Sequence, residues 1–188
     1  MSIPASAKKR LVWLDIETTG LNADKEVILE IGFKVTDLEF KTLDQHQVLI
    51  WDKGYNFAHD NAPKFVQNMH TESDLWTHAK DWGVSLEKAE HDIMHFLEKQ
   101  CKLGQGADPL CGSSVHFDRN FLAAYMPKVN DYFHYRNIDV STFKEVAARY
   151  APTLESMLTY PSPTKAHRVM PDIDDSIAEF KFYSEVLF

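Results

Sequence analysis

Only two cysteines, Cys101 and Cys111, stand among the 188 residues. Neither sits in a metal-type spacing, so a disulfide framework and a cysteine-based zinc site are both excluded. A reducing, cytoplasmic compartment suits such a chain. No apolar run approaches the length of a membrane span. Lys8, Lys9 and Arg10 are followed by a stretch that Asp15 interrupts, so the N-terminus does not read as a signal peptide. Positive charge is also scarce: 20 Lys and Arg against 28 Asp and Glu leave a net charge of −8. That argues against a broad basic surface for coating long nucleic acid. A small nucleotide-containing substrate, held at one cation-neutralised site, stays open. No repeat, low-complexity stretch or domain boundary interrupts the chain. With 44% hydrophobic residues it reads as one globular domain over 11–188, preceded by a short extension over 1–10.

What is present centres on Leu11-Val-Trp-Leu-Asp-Ile-Glu-Thr-Thr-Gly-Leu21. The apolar, β-forming start and the Thr-Thr-Gly end read as a strand running into a turn. Side chains alternate along a strand, so Asp15 and Glu17 share one face and Val12, Leu14 and Ile16 the other. Two neighbouring carboxylates at the end of an apolar strand repel each other, and burial disfavours their ionised forms. A divalent cation removes that cost, and oxygen ligands suit Mg²⁺ or Mn²⁺. The motif alone fits a solvated strand end equally well.

Further strands are expected over Glu26–Asp37 and Asp44–Trp51. Turn residues separate them, which favours an antiparallel meander. Residues 52–84 are irregular in pattern and hold short helices. Ser85 can cap a helix to about Lys102, with Leu86, Ala89, Ile93, Phe96 and Leu97 at helical spacing. A brief strand follows near Pro109–Gly112. Asp118–Tyr125 reads as a helix that stops before Pro127. His134–Val140 reads as a strand, and Ser141 as the cap of a helix to Tyr150. Ala151–Ala166 is loop-like, and a last helix starts at about Asp172, with Ile173, Ile177, Phe180 and Leu187 on one face. Strands first, then helices alternating with strands, give an α/β domain: a mixed sheet flanked by helices.

Two distant stretches supply further acids. Asp118 lies near the start of its helix, where the dipole favours an anion and where, taken alone, a plain capping role is the better reading. In His167-Arg-Val-Met-Pro-Asp172, Pro171 belongs in a first helical turn, which leaves His167 in the preceding loop and Asp172 in the helix. Loop-to-helix geometry lets both face one site. Asp174 and Asp175 read as residues that merely complement the dipole.

Asp15 and Glu17, then Asp118, then His167 with Asp172, in this order and these contexts, resemble the DEDDh family of 3′→5′ exonucleases. The match extends over 11–188 and narrows to the oligoribonuclease branch through Tyr125-Met-Pro127 and Tyr132-Phe-His-Tyr-Arg-Asn-Ile-Asp-Val-Ser-Thr-Phe-Lys-Glu145. The resemblance implies a ribonuclease H-like exonuclease fold with a mixed five-stranded sheet. It implies that Asp15, Glu17, Asp118 and Asp172 bind two divalent cations, Mg²⁺ or Mn²⁺, and that His167 is the general base. It implies hydrolysis of short RNA oligonucleotides, dinucleotides above all, to 5′-mononucleotides by a cytoplasmic homodimer in which Tyr135 reaches the partner's site. Ser114, Arg136 and Ser141 then cap a 5′ phosphate, Leu21 wedges between bases, Phe65 stacks on one, and His70 lies on the substrate side. The chain departs from the family pattern at Thr18, Phe65, Ser113 and Pro171, and 52–82 matches it poorly. A general exonuclease trimming longer RNA or DNA, and a non-catalytic nucleotide-binding scaffold, are the rival readings.

His91 and His95, four apart on a helix, resemble half of a zinc motif. They flank the side opposite Ile93 and read as solvated surface.

Overall fold

The computed structural model describes residues 10–100, 105–150 and 166–187. The loop expected over 151–166 lies outside them except for Ala166. Three strands, β1 (Leu11–Thr18), β2 (Ile28–Thr36) and β3 (Thr42–Leu49), form the antiparallel meander that their short connections favour. Two short strands, β4 (Leu110–Gly112) and β5 (Asn137–Asp139), extend the sheet on the other side of β1, in parallel. The order is β3-β2-β1-β4-β5, a mixed five-stranded sheet with β1 at its centre.

The irregular region holds three helices, α1 (Tyr55–Asn61), α2 (Lys64–Glu72) and α3 (Leu75–Trp82). Ser85 caps α4 (Leu86–His95), its hydroxyl accepting the Lys88 N–H at 3.3 Å, and a π turn continues over Phe96–Gln100. After β4 comes α5 (Val115–Tyr125), which starts three residues before Asp118. Pro127 opens a further helix, α6 (Pro127–Tyr132), where the sequence pattern showed only a stop; a proline at a first helical position leaves no amide unpaired. The next helix, α7 (Val140–Tyr150), corrects the expected cap. The Asp139 carboxylate accepts the Ser141 N–H at 3.1 Å, so Asp139 is the cap and Ser141 lies in the first turn. Both residue types cap well, and only the turn geometry separates them. The last helix, α8 (Val169–Leu187), begins ahead of Asp172 and keeps Pro171 in its first turn.

Helices cover both faces of the sheet. Val12, Leu14 and Ile16 pack with Ile93, Phe121, Leu122 and Val129 from α4, α5 and α6. On the opposite face Trp13 packs with Cys111, Val140, Ile173, Ile177 and Tyr183, mainly beneath α8. Each fully buried Ile, Leu or Phe in these layers contributes about 1.5–3 kcal/mol relative to exposure. The Trp13 indole donates to Thr36 Oγ1 at 3.1 Å, so its polar edge is satisfied inside the core.

Two features seat the start of α8. Gly32 lies opposite Asp15 in β2, and a Cβ there would come within 2.7 Å of Val169 Cγ2. The missing side chain lets the helix approach the strand that carries the acids. Lys34, nearly buried in β2, pairs with Asp174. Asp174 is thus an anchor between helix and sheet, not only a dipole complement.

Candidate active site

Asp15 and Glu17 point from the end of β1 toward the first turn of α8. A bulge follows, where Glu17 pairs with Glu30 but Thr18 pairs with Ile28. Such irregularities re-aim side chains at strand ends. Single donor atoms of Glu17, His167 and Asp172 lie within 4.8 Å of one another. His167 occupies the loop before α8 with a left-handed backbone, φ 49°. Asp118 arrives from the other face. Strand β4 pairs with β1 only at Val12 and Trp13, and beyond its end the Asp118 carboxylate takes the free backbone amide of Ile16. Asp118 is 4% exposed and Glu17 7% exposed. The structure therefore gathers all four acids and the histidine expected from sequence.

Their electrostatics are unfavourable in isolation. Burial and then the charges of Asp118, Glu17 and Asp172 hold Asp15 well above the usual carboxylate range. Burial, then Asp172, pushes Glu17 up to about 9, and these two carboxyls share a hydrogen bond. Burial also raises Asp118 and Asp172. Carboxylates forced together and desolvated in this way are what a divalent cation stabilises, since it favours the ionised form of every one of them. The oxygen-rich donor set with one imidazole suits Mg²⁺ or Mn²⁺ better than a soft metal. The residues present fit such ions.

A fifth acid escaped the sequence reading. Glu30, 1% exposed, faces Glu17 across the β1–β2 pair and forms a bidentate ion pair with Arg168, both contacts 2.9 Å. The signal was available: Glu30 is a lone acid within the apolar run Ile28-Leu29-Glu30-Ile31. His70 has no exposed surface. Its Nε2 meets the Thr18 carbonyl oxygen at 2.8 Å, its Nδ1 lies 4.0 Å from Glu17 Oε2, and burial lowers its pKa. It packs beneath Glu17 rather than facing solvent.

The remaining expected residues lie outside the acid cluster. Ser114 and Ser141 come together, their hydroxyls 3.4 Å apart, because the Asp139 carboxylate accepts the Ser114 and Val115 amides at 2.9 and 3.1 Å as well as that of Ser141. Asp139 is the organising residue here, and its dual role as helix cap and loop tie was not legible in the sequence. Tyr135 is 76% exposed; it stacks on His134 at 4.4 Å, with the Arg136 guanidinium 5.4 Å from its ring centre. Arg119, on α5, supports this segment by donating to Asn137 Oδ1 and to the His134 carbonyl. Leu21, just past the Thr-Thr-Gly turn, is 86% exposed, and Phe65 on α2 is 74% exposed. His91 and His95 are exposed on α4 while Ile93 between them is buried.

An exonuclease family model, RNase T, matches residues 12–180. The chain is 39% identical to the oligoribonuclease of Colwellia psychrerythraea over 185 residues, 98% of either chain. It is 37% identical to the probable oligoribonuclease of Dictyostelium discoideum, over 96% of this chain and 91% of that one. Among solved structures, cell-death related nuclease 4 superposes with a TM-score of 0.71 at 12% identity, over 95% of this chain and 64% of the other. Escherichia coli exonuclease I, solved with single-stranded DNA, superposes with a TM-score of 0.70 at 14% identity; the match covers 95% of this chain and 41% of that protein. These last two likenesses are of fold, the ribonuclease H-like exonuclease fold.

Proposed function

The chain belongs to the oligoribonuclease branch of the exonuclease family, and from that premise we propose that it hydrolyses oligoribonucleotides of a few residues, dinucleotides above all, from the 3′ end to 5′-mononucleotides. The observation that carries the reading is the convergence of Asp15, Glu17, Asp118 and Asp172 with His167 on one end of β1.

Asp15, Glu17, Asp118 and Asp172 would hold two divalent cations, Mg²⁺ or Mn²⁺, which when bound would supply Lewis acidity for displacement at phosphorus. The residues do the rest. The His167 imidazole takes the proton of the attacking water, a role its place in the loop before α8, beside Glu17 and Asp172, allows. His70 supports Glu17 from below. Leu21 and Phe65 receive the bases, roles that their exposed side chains allow. Ser114, Ser141 and Arg136 receive the 5′ phosphate and close the site to longer chains; a guanidinium fork suits two phosphate oxygens. Tyr135, exposed and rigidly backed by His134, serves the partner's site in a homodimer. Residues 11–188 act as one exonuclease domain, in the cytoplasm.

A time course with Mn²⁺ on 5′-labelled RNAs of two, three, five and twenty nucleotides tests this. The dinucleotide is expected to disappear far faster than the rest. Equal trimming of the twenty-mer would make the protein a general exonuclease, and no cleavage of any length would make it a scaffold. Tyr135→Ala is expected to be weak alone and rescued in mixed dimers with an Asp15→Ala subunit; absence of rescue removes the cross-subunit role.

A further inference from the structure

Arg168 follows His167 directly, and its side chain is held on every edge. Nε and Nη2 donate to the two oxygens of Glu30, and Nη1 lies 3.1 Å from His78 Nδ1 on α3. The same Glu30 carboxylate also accepts the Val169 N–H at 3.3 Å. The Arg168 carbonyl accepts the Asp172 N–H at 3.1 Å, which sets the first turn of α8. Strand β2, helix α3 and the start of α8 therefore meet at one guanidinium. On one side of it stands His167, whose φ of 49° is uncommon for a residue with a Cβ. On the other stands Asp172.

We infer that the Glu30–Arg168–His78 clamp is a positioning device that fixes His167 against the acid cluster, an inference that rests on the reading of His167 as general base. Glu30 is held in this ion pair rather than serving as a fifth ligand, although it shares a face with Glu17. Arg168 and Glu30 act through His167 and touch no reacting atom. Geometry matters here beyond charge. A lysine keeps the positive charge but cannot span two carboxylate oxygens and a ring nitrogen together. A displacement of about 1 Å at a reacting group costs on the order of a hundredfold in rate.

The test uses the full chain with ¹³C-labelled histidine, as wild type, Arg168→Lys, Arg168→Ala and Glu30→Gln. Three quantities are read: the His167 imidazole resonance by NMR, Mg²⁺ binding by calorimetry, and dinucleotide kinetics. In Arg168→Lys and Glu30→Gln the His167 signal is expected to shift or broaden. Mg²⁺ binding stays, kcat falls about 10–100-fold, and KM stays within about threefold. An Arg168→Lys protein with wild-type kcat and an unmoved His167 signal would overturn the clamp. So would a loss of Mg²⁺ binding with the His167 signal intact, which would place Arg168 in charge balance instead. Should Arg168→Ala not fold, the two shape-conserving variants still decide. A wild-type protein that cleaves no RNA would sink the proposed function. The clamp would still stand or fall on the His167 signal, which needs no turnover.

Discussion

The two faces of β1 share one backbone and the same neighbouring strands, yet they are built for opposite ends. Val12, Leu14 and Ile16 enter an apolar layer under α4, α5 and α6, where every contact favours folding. On the reverse face Leu11 and Trp13 do so, and then Asp15 and Glu17 bring in carboxyls whose ionised forms burial and mutual repulsion disfavour. One side of a strand thus serves stability, and the end of the other side holds a site that opposes it. The two are coupled, because the anchors of α8 on the acid face keep that site closed up: Gly32 by absence, Lys34 by its ion pair with Asp174.

Substitutions on the two faces should therefore behave oppositely. The largest effect is expected from Asp15→Ala. Turnover with Mg²⁺ or Mn²⁺ falls by about 10²–10³-fold or more, while the metal-free melting temperature does not drop, because a source of repulsion has gone. Full activity in that variant would break the comparison. On the apolar face, Leu14→Ala should cost about 2–5 kcal/mol in denaturant unfolding, as core truncations do. Activity per folded molecule should stay near wild type; a selective loss of turnover would show that the faces are not separable. Gly32→Ala lies between the two. Its Cβ meets Val169, so a cost of about 1–3 kcal/mol is expected, together with lost activity as the first turn of α8 is pushed away.

The pH dependence sharpens the same contrast. Glu17 has a folded pKa near 9 against an ordinary 4.5. Between those values the folded protein binds more protons than the unfolded chain, so this contribution is complete below pH 4.5 and is lost as pH rises toward 9. The melting temperature of metal-free protein should fall across that window, and saturating Mg²⁺ should flatten the fall. A metal-free profile that rises instead would contradict the electrostatics of the site. The smallest effect belongs to the exposed Lys88–Asp92 pair on α4. Lys88→Ala should change stability by no more than about 0.5 kcal/mol and leave turnover alone.

Much of this was legible in the sequence because it depends on local pattern. Alternation along Leu11–Thr18 separated acids from apolar residues, Ser85 marked a helix start, and Pro171 put His167 in a loop. What was not legible depends on packing between distant segments. Glu30 finds Arg168 only once β2 and α8 meet. Asp139 shows its reach only when β5 lies beside the Ser114 turn. Asp174 resembles any acid near a helix start until Lys34 faces it. His70, placed on the substrate side by resemblance, has its position set by the packing of α2 against the end of β1, and that packing buries it.

The most direct measurement is a calorimetric titration of Mn²⁺ into the wild-type protein near neutral pH, repeated in two buffers that differ in ionisation enthalpy. A cation that binds carboxyls held in raised-pKa, partly protonated form must displace protons. Saturable binding is expected, with a heat that depends on the buffer because protons are released, and that signal should vanish in Asp15→Ala. No binding at all would leave Asp15 and Glu17 as the end of an ordinary strand, and binding without proton release would contradict the raised carboxyl pKa values.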